Sequence, residues 1–237
     1  MNLVDIEDRI LFEDNHLIAI NKKPSELVQG DKTGDRPLSE LIKTYLKIKY
    51  NKPGEAFLGV IHRLDRPVSG VVVFAKTSKA LTRMNKMVKE RRFNKTYWAI
   101  IKRNSELSSG EFRNYLVKNE KKNKSFVVND LIKNAKEAVL EYNMLDSSDN
   151  YSLLKIDLKT GRHHQIRAQL AARGFPIKGD LKYGAPRSNA DSSISLHAFE
   201  VDFIHPVKKE PVQIIAQPPN QKIWNYFFYK YEKGLYN

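Results

Sequence analysis

The segment HRLDRPVSG, residues 62–70, sets one carboxylate, Asp65, next to Arg66 and two positions from Arg63, just ahead of the apolar run VVVFA. An opposite charge within hydrogen-bonding distance lowers a carboxylate pKa by roughly 1 to 3 units, so an arginine neighbour holds such a group ionised even where water is excluded. An ionised Asp65 could serve as nucleophile or base. It could equally be the acidic half of an ordinary surface ion pair, because arranged charges often perturb titration without catalysis. A second charged cluster, GRHHQIR at 161–167, could deliver another arginine beside it. A glycosidase-like pair would need a second carboxylate, and the local sequence supplies none. Adjacent His163 and His164 would point about 100° apart on a helix, so they do not face one metal ion; ligand-bearing helices space histidines three or four apart. His164 reads instead as a packed or hydrogen-bonded structural residue.

The elements that must position these groups can be read from periodicity. ILFEDNHLIAI at 10–20 is two β-type runs around Asp14-Asn15, a hairpin, and Lys23-Pro24 ends its second strand. PLSELIKTYLKIKY at 37–50 is an amphipathic helix with Pro37 at its first position and Leu38, Leu41, Ile42, Tyr45 and Leu46 on one stripe. HRLDR is a loop, and Val71 to Ala75 a buried strand. Residues 76–95 carry eight Lys/Arg and one Glu, with Leu81, Met84 and Val88 at helical spacing, so the helix has one apolar and one strongly cationic side. YWAIIK at 97–102 resumes strand character, and the lysine-rich 103–135 segment is a projecting hairpin or a mobile loop. AVLEYNML and YSLLKIDLK are paired strands. Thr160-Gly161 breaks the second of them, and HHQIRAQLAARG is a helix ending at Gly174. LHAFEVDF and PVQIIAQ are further strands before an aromatic helix, NQKIWNYFFYKYEK. Strands outnumber helices and come mostly as adjacent pairs, which predicts an α+β single domain over 1–237, its mixed, largely antiparallel sheet flanked by helices.

Composition narrows the function. The 237 residues hold 41 Lys+Arg against 27 Asp+Glu, a formal charge of +14, so a polyanion is the natural partner and nucleic acid leads the list. Arg83 and Lys86 on the cationic helix are candidate phosphate contacts, and Tyr97 is either a stacking platform for an unstacked base or a core strand residue. With no cysteine, disulfides, thiolate zinc sites and thiol nucleophiles are excluded, which suits a cytoplasmic location. The acidic start does not read as a signal peptide, and the longest clean apolar run is far shorter than the roughly 20 residues that a membrane-spanning helix needs, so no membrane role is expected. Signatures for P-loop and dinucleotide binding, zinc proteolysis and serine hydrolysis are all missing.

HRLDRPVSGVVVFAK resembles the signature of the RluA-type RNA pseudouridine synthases. NKKP at 21–24 resembles that family's first motif, KTYWAII at 95–101 its tyrosine strand, KEAVLEYNML the strand after it, TGRHHQIRAQLAARGFPIKGDLKYG at 160–184 its third motif, and LHAFEVDFIHP the next strand. The matches follow the family's order from about residue 8 to 218. The resemblance implies the pseudouridine synthase fold and isomerisation of uridine to pseudouridine within ribosomal or transfer RNA, without cofactor or metal; nothing in the sequence calls for an obligate partner, so a monomer is expected. It makes Asp65 the catalytic carboxylate, acting either by attack on the ring or sugar or by removing a sugar proton. Arg63 takes the place of the arginine that helps extrude the nucleotide, Tyr97 of the tyrosine stacked on uracil, and Arg167 of the aspartate's partner. Arg162 ranks below Arg167 for that role, and Ile166 is an apolar wall. Departures are Ser25 and Gln29 where the family usually has glycine and histidine, Val68 for threonine, and Ala168-Gln169 where a histidine is common. A single catalytic domain without a separate N-terminal RNA-binding domain is the expectation, in which case the cationic helix and the 103–135 segment would supply the RNA grip. The rivals are a non-catalytic RNA-binding or RNA-folding module on the same scaffold and a glycosidase acting on free nucleosides.

Overall fold

The computed structural model of the chain describes residues 3–31, 33–103 and 107–236. In chain order the elements are α1 (Leu3–Glu7), β1 (Ile10–Glu13), β2 (Leu17–Lys22), α2 (Leu38–Lys49), β3 (Gly59–Val60), β4 (Ser69–Ala75), α3 (Ser78–Lys89) and β5 (Phe93–Lys102). They continue with β6 (Ser109–Asn119), β7 (Lys124–Val128), β8 (Lys136–Ser147), β9 (Tyr151–Leu158), α4 (Gln165–Ala172), a 3-10 turn (Leu181–Tyr183), β10 (Leu196–Ile204), β11 (Pro211–Ile215) and α5 (Lys222–Glu232). The class is α+β, and the chain folds as two compact units, residues 1–94 with 198–217 and residues 95–197 with 218–237.

In the first unit the strands run β1-β2-β4-β10, with β3 on β4 and β11 on β10. Every residue of β4 is buried, which is why its sequence reads as an unbroken apolar run rather than an alternating one. It pairs antiparallel with β2, Ile18 against Phe74 and Ile20 against Val72. The hairpin before it turns on Asp14, whose Oδ1 accepts from the backbone N–H groups of His16 and Leu17 at 2.8 and 2.9 Å. Thr77 starts α3 by accepting the Ala80 N–H at 3.2 Å, as an N-cap threonine does. The buried side of α3 is Ala80, Met84 and Met87, with Leu81 and Val88 only at its rim, so the apolar stripe is turned relative to the one read from Leu81, Met84 and Val88. Both methionines pack with Phe93, Val201 and Phe203 in one core, where full burial of such a side chain contributes about 1.5–3 kcal/mol. Pro37 is the residue before α2 rather than its first helical residue, with extended backbone at φ −78, ψ 158. Leu38, Ile42, Tyr45 and Leu46 are buried as the stripe predicted, and Leu41 sits half-buried at its edge.

The second unit orders its strands β5-β9-β8-β6-β7, each neighbouring pair antiparallel. The lysine-rich segment resolves as a hairpin, β6 and β7 joined at 120–123; residues 104–106 lie outside the described residues. Trp98 on β5 is buried against Phe228, Tyr231 and Tyr236, which explains the aromatic character of α5 and its tail. Leu116, Ala138, Ala168 and Tyr183 form the small core that seats α4. Among the described residues no helix is long and apolar enough to cross a membrane.

Candidate active site

In the first unit, Arg63 and Asp65 lie on the loop that feeds β4, Arg63 exposed and Asp65 half-buried. The loop is tied at each end. His62 accepts the Val73 N–H through Nε2 at 3.1 Å and packs on the Phe93 ring, while Val68 N donates to Asp65 O at 3.0 Å and closes a turn over Arg66-Pro67. Lys22 reaches in from β2 with no exposure at all, and its ammonium donates to the carbonyls of Val68 at 2.6 Å, Lys23 at 2.9 Å and Arg66 at 3.1 Å. Three acceptors use all three of its protons. Burial pushes its pKa down to about 8, opposed by the nearby Glu26 and Asp65 carboxylates, so it remains a cation at neutral pH beside Asp65. Arg66, whose charge could have been spent on its neighbour, instead pairs with Asp35 at 2.7 Å on the surface.

Two backbone positions shape the same loop. Ser25 holds φ +70 while its N–H donates to Arg66 O at 2.8 Å. That left-handed conformation is what a glycine supplies without strain, so a serine here carries a modest cost. Gly70 has φ +117, and a Cβ on it would lie 2.2 Å from the Ala198 carbonyl oxygen; β4 and β10 approach too closely there for any side chain. On α3, Arg83 and Lys86 are both exposed; Arg83 donates to Pro206 O at 3.2 Å, and Lys86 stands 3.8 Å from Glu90.

In the second unit, Tyr97 is a buried residue of β5, and Ile166 and Arg167 occupy the first turn of α4, both buried. Arg167 makes a forked ion pair with Asp180, Nε to Oδ2 at 2.7 Å and Nη2 to Oδ1 at 2.9 Å, which fixes the plane of its guanidinium. Asp180 is 1% exposed and was not among the residues singled out from the sequence; a lone aspartate in KGDLKYG carries no pattern that marks it. The loop before α4 is closed by Gln165, whose Oε1 accepts from Thr160 Oγ1 at 2.7 Å and from Arg162 N at 3.0 Å, while Arg162 Nε donates to Glu137 O at 2.8 Å.

The two histidines depart from the helical reading. α4 begins only at Gln165, and His164 precedes it at φ 52 in the left-handed region, so the rings of His163 and His164 stack 3.8 Å apart instead of diverging. His163 Nδ1 is bonded to Ser125 Oγ at 2.9 Å and His164 Nδ1 to the Tyr183 hydroxyl at 3.0 Å, the structural role expected of His164. Burial, reinforced by the Arg167 charge, pushes the His164 pKa down to about 2, so it stays neutral. Gln169, at a departure from the family pattern, donates its amide to Phe112 O and Ala138 O and so ties α4 to β6 and β8.

Residues 16–172 match the family model described as RNA pseudouridylate synthase. The chain belongs to that family. It is 33% identical over 231 residues to ribosomal large subunit pseudouridine synthase D of Xylella fastidiosa, covering 91% of this chain and 67% of the relative. It is also 33% identical over 220 residues to ribosomal large subunit pseudouridine synthase C of Buchnera aphidicola, covering 88% and 67%. The chain thus spans about two thirds of the length of these curated relatives. Human RNA Pseudouridylate Synthase Domain Containing 4 has the same fold, with TM-score 0.79 at 23% identity over 95% of this chain and 94% of that one. Human RNA Pseudouridylate Synthase Domain Containing 1 gives 0.71 at 21%, over 95% and 89%. As a pseudouridine synthase the chain is an isomerase, and the reading of it as a non-catalytic module gives way to the catalytic one.

Proposed function

We propose that this pseudouridine synthase isomerises a uridine of ribosomal RNA, acting in the cytoplasm as a monomeric single catalytic domain. Large-subunit RNA is the first candidate, because the relatives from Xylella and Buchnera are named for it; transfer RNA is the second. The chemistry breaks the bond from uracil N1 to the ribose, turns the ring, joins C5 to the same ribose carbon, and releases the C5 proton. Asp65 is the carboxylate at the reacting centre, Tyr97 the ring on which the extruded uracil stacks, and Arg167, oriented by Asp180, the cation that pairs with the carboxylate. Arg63 assists extrusion, Arg162 and Ile166 line the base, and Arg83 and Lys86 hold phosphates. Extruding a base costs a few kcal/mol, of which stacking returns about 1–3.

The observation that carries this reading is the span of the family match, 16–172, which takes in the loop of Asp65, the strand of Tyr97 and the helix of Arg167. Tritium release from RNA labelled at uridine C5 tests it. Asp65→Asn should cut the rate by roughly a thousandfold or more, the scale on which loss of an essential reacting group is felt. Release from the variant as fast as from the parent removes Asp65 from the mechanism.

A further inference from the structure

Lys95 stands two residues before Tyr97 on β5, and on a strand that spacing places both side chains on one face. The opposite face is that of Trp98, packed on the aromatic residues of α5 and its tail. Lys95 is partly buried, and its Nζ lies 3.3 Å from where a Cβ would sit on Gly161, so the missing side chain there leaves room beside the ammonium. Among the described residues no hydrogen bond or ion pair reaches that ammonium; burial lowers its pKa, and no carboxylate is near enough to raise it. Three other enclosed lysines are answered: Lys22 by three carbonyls, Lys76 by Glu13, Lys178 by Asn189. A desolvated cation with no acceptor weakens the free protein, and an anion arriving with a ligand would compensate it.

We propose that Lys95 binds a phosphate of the RNA backbone adjoining the uridine that stacks on Tyr97, in the recess left open by Gly161. The inference rests on the isomerase reading above and adds to it a phosphate contact beside the stacking ring. Arg162, next in the chain after Gly161, brings a second cation to the same loop; its Nε is already held by Glu137 O, so the Lys95 contribution can be measured with the loop intact.

RNA affinity is measured in the Asp65→Asn background, where bound RNA is not turned over, across a range of salt. Lys95→Met should weaken binding about tenfold, as loss of a charged hydrogen bond does. It should also lower the slope of log Kd against log salt by about 0.7, the value of one phosphate contact in single strands. Its Tm should equal or exceed that of the parent, because an uncompensated charge has gone; a merely structural lysine would lower it. Lys95→Arg should recover most of the affinity. A methylphosphonate at one linkage beside the target uridine should weaken the parent and leave Lys95→Met unaffected. An unchanged salt slope, a lower Tm, or a Lys95 effect that persists at every neutralised linkage overturns the proposal. Absence of pseudouridine from the wild-type reaction overturns the isomerase reading instead, whereas failure of the Lys95 effects alone leaves that reading standing.

Discussion

Lys22 shows how one buried side chain can set the geometry of the loop that carries Asp65. Its ammonium gathers the carbonyls of Lys23, Arg66 and Val68, two of them 44 and 46 residues away in the chain, and so holds the turn that carries Asp65. Lysine is among the residues least often buried. In NKKP, then, neither its burial nor its partners could be read, only its place in a motif. Lys22→Met keeps the volume and leaves three carbonyls without a donor, so it should cost about 2–4 kcal/mol, measured by urea unfolding. Tritium release should fall by more than the unfolded fraction explains; retention of full specific activity would show that the turn holds itself. Arg167 makes a parallel case. The arginine was legible in the sequence, but the Asp180 that orients it was not, because the pairing exists only after both are desolvated side by side.

At the scale of elements, the strand pairs and the long helices follow from period-2 and period-3.6 patterning, and the structure keeps them. What patterning misplaced were the phase of α3 and the start of α4, and it gave no sign of the short α1 and β3. The phase of α3 was misread because methionine and alanine are weak markers of a buried face, and α4 starts late because His164 leaves the helical backbone. One tie between elements is not periodic at all. Glu13 on β1 accepts from Lys49 of α2 at 2.8 Å, from Lys76 after β4 at 2.7 Å and from the Tyr50 hydroxyl at 2.8 Å. Burial works to raise its pKa, but the hydrogen bonds of Lys49, Lys76 and Tyr50 outweigh it and hold the carboxyl below its ordinary value of 4.5. A carboxyl with a depressed folded pKa contributes stability above its unfolded pKa and loses it as pH falls through the folded one. Glu13→Gln should therefore lower unfolding free energy by about 1–2 kcal/mol at pH 7. The difference should shrink steadily below about pH 4.5 in denaturation curves; a gap independent of pH would mean that shape, not charge, makes the tie.

Across the whole molecule the charge of +14 sets how RNA is met. Arg83, Lys86 and Lys89 are exposed along α3, so replacing all three with glutamine should reduce the log-log salt slope of RNA binding by about 2, at about 0.7 per phosphate contact. Filter binding between low and high salt checks this, and an unaltered slope would move the RNA to another face. The amino-acid sequence by itself determined the α+β class, the strand and helix order, the family and the residue types at its motifs, because these depend on local periodicity and on residue identity at given spacings. Only the tertiary structure decided which charges are answered and which are not: Arg167 by Asp180, Lys22 by three carbonyls, Arg66 by Asp35, and Lys95 by no described residue. The physical reason is that the strength of a polar contact depends on desolvation and sub-ångström approach, and both arise when distant parts of the chain pack together.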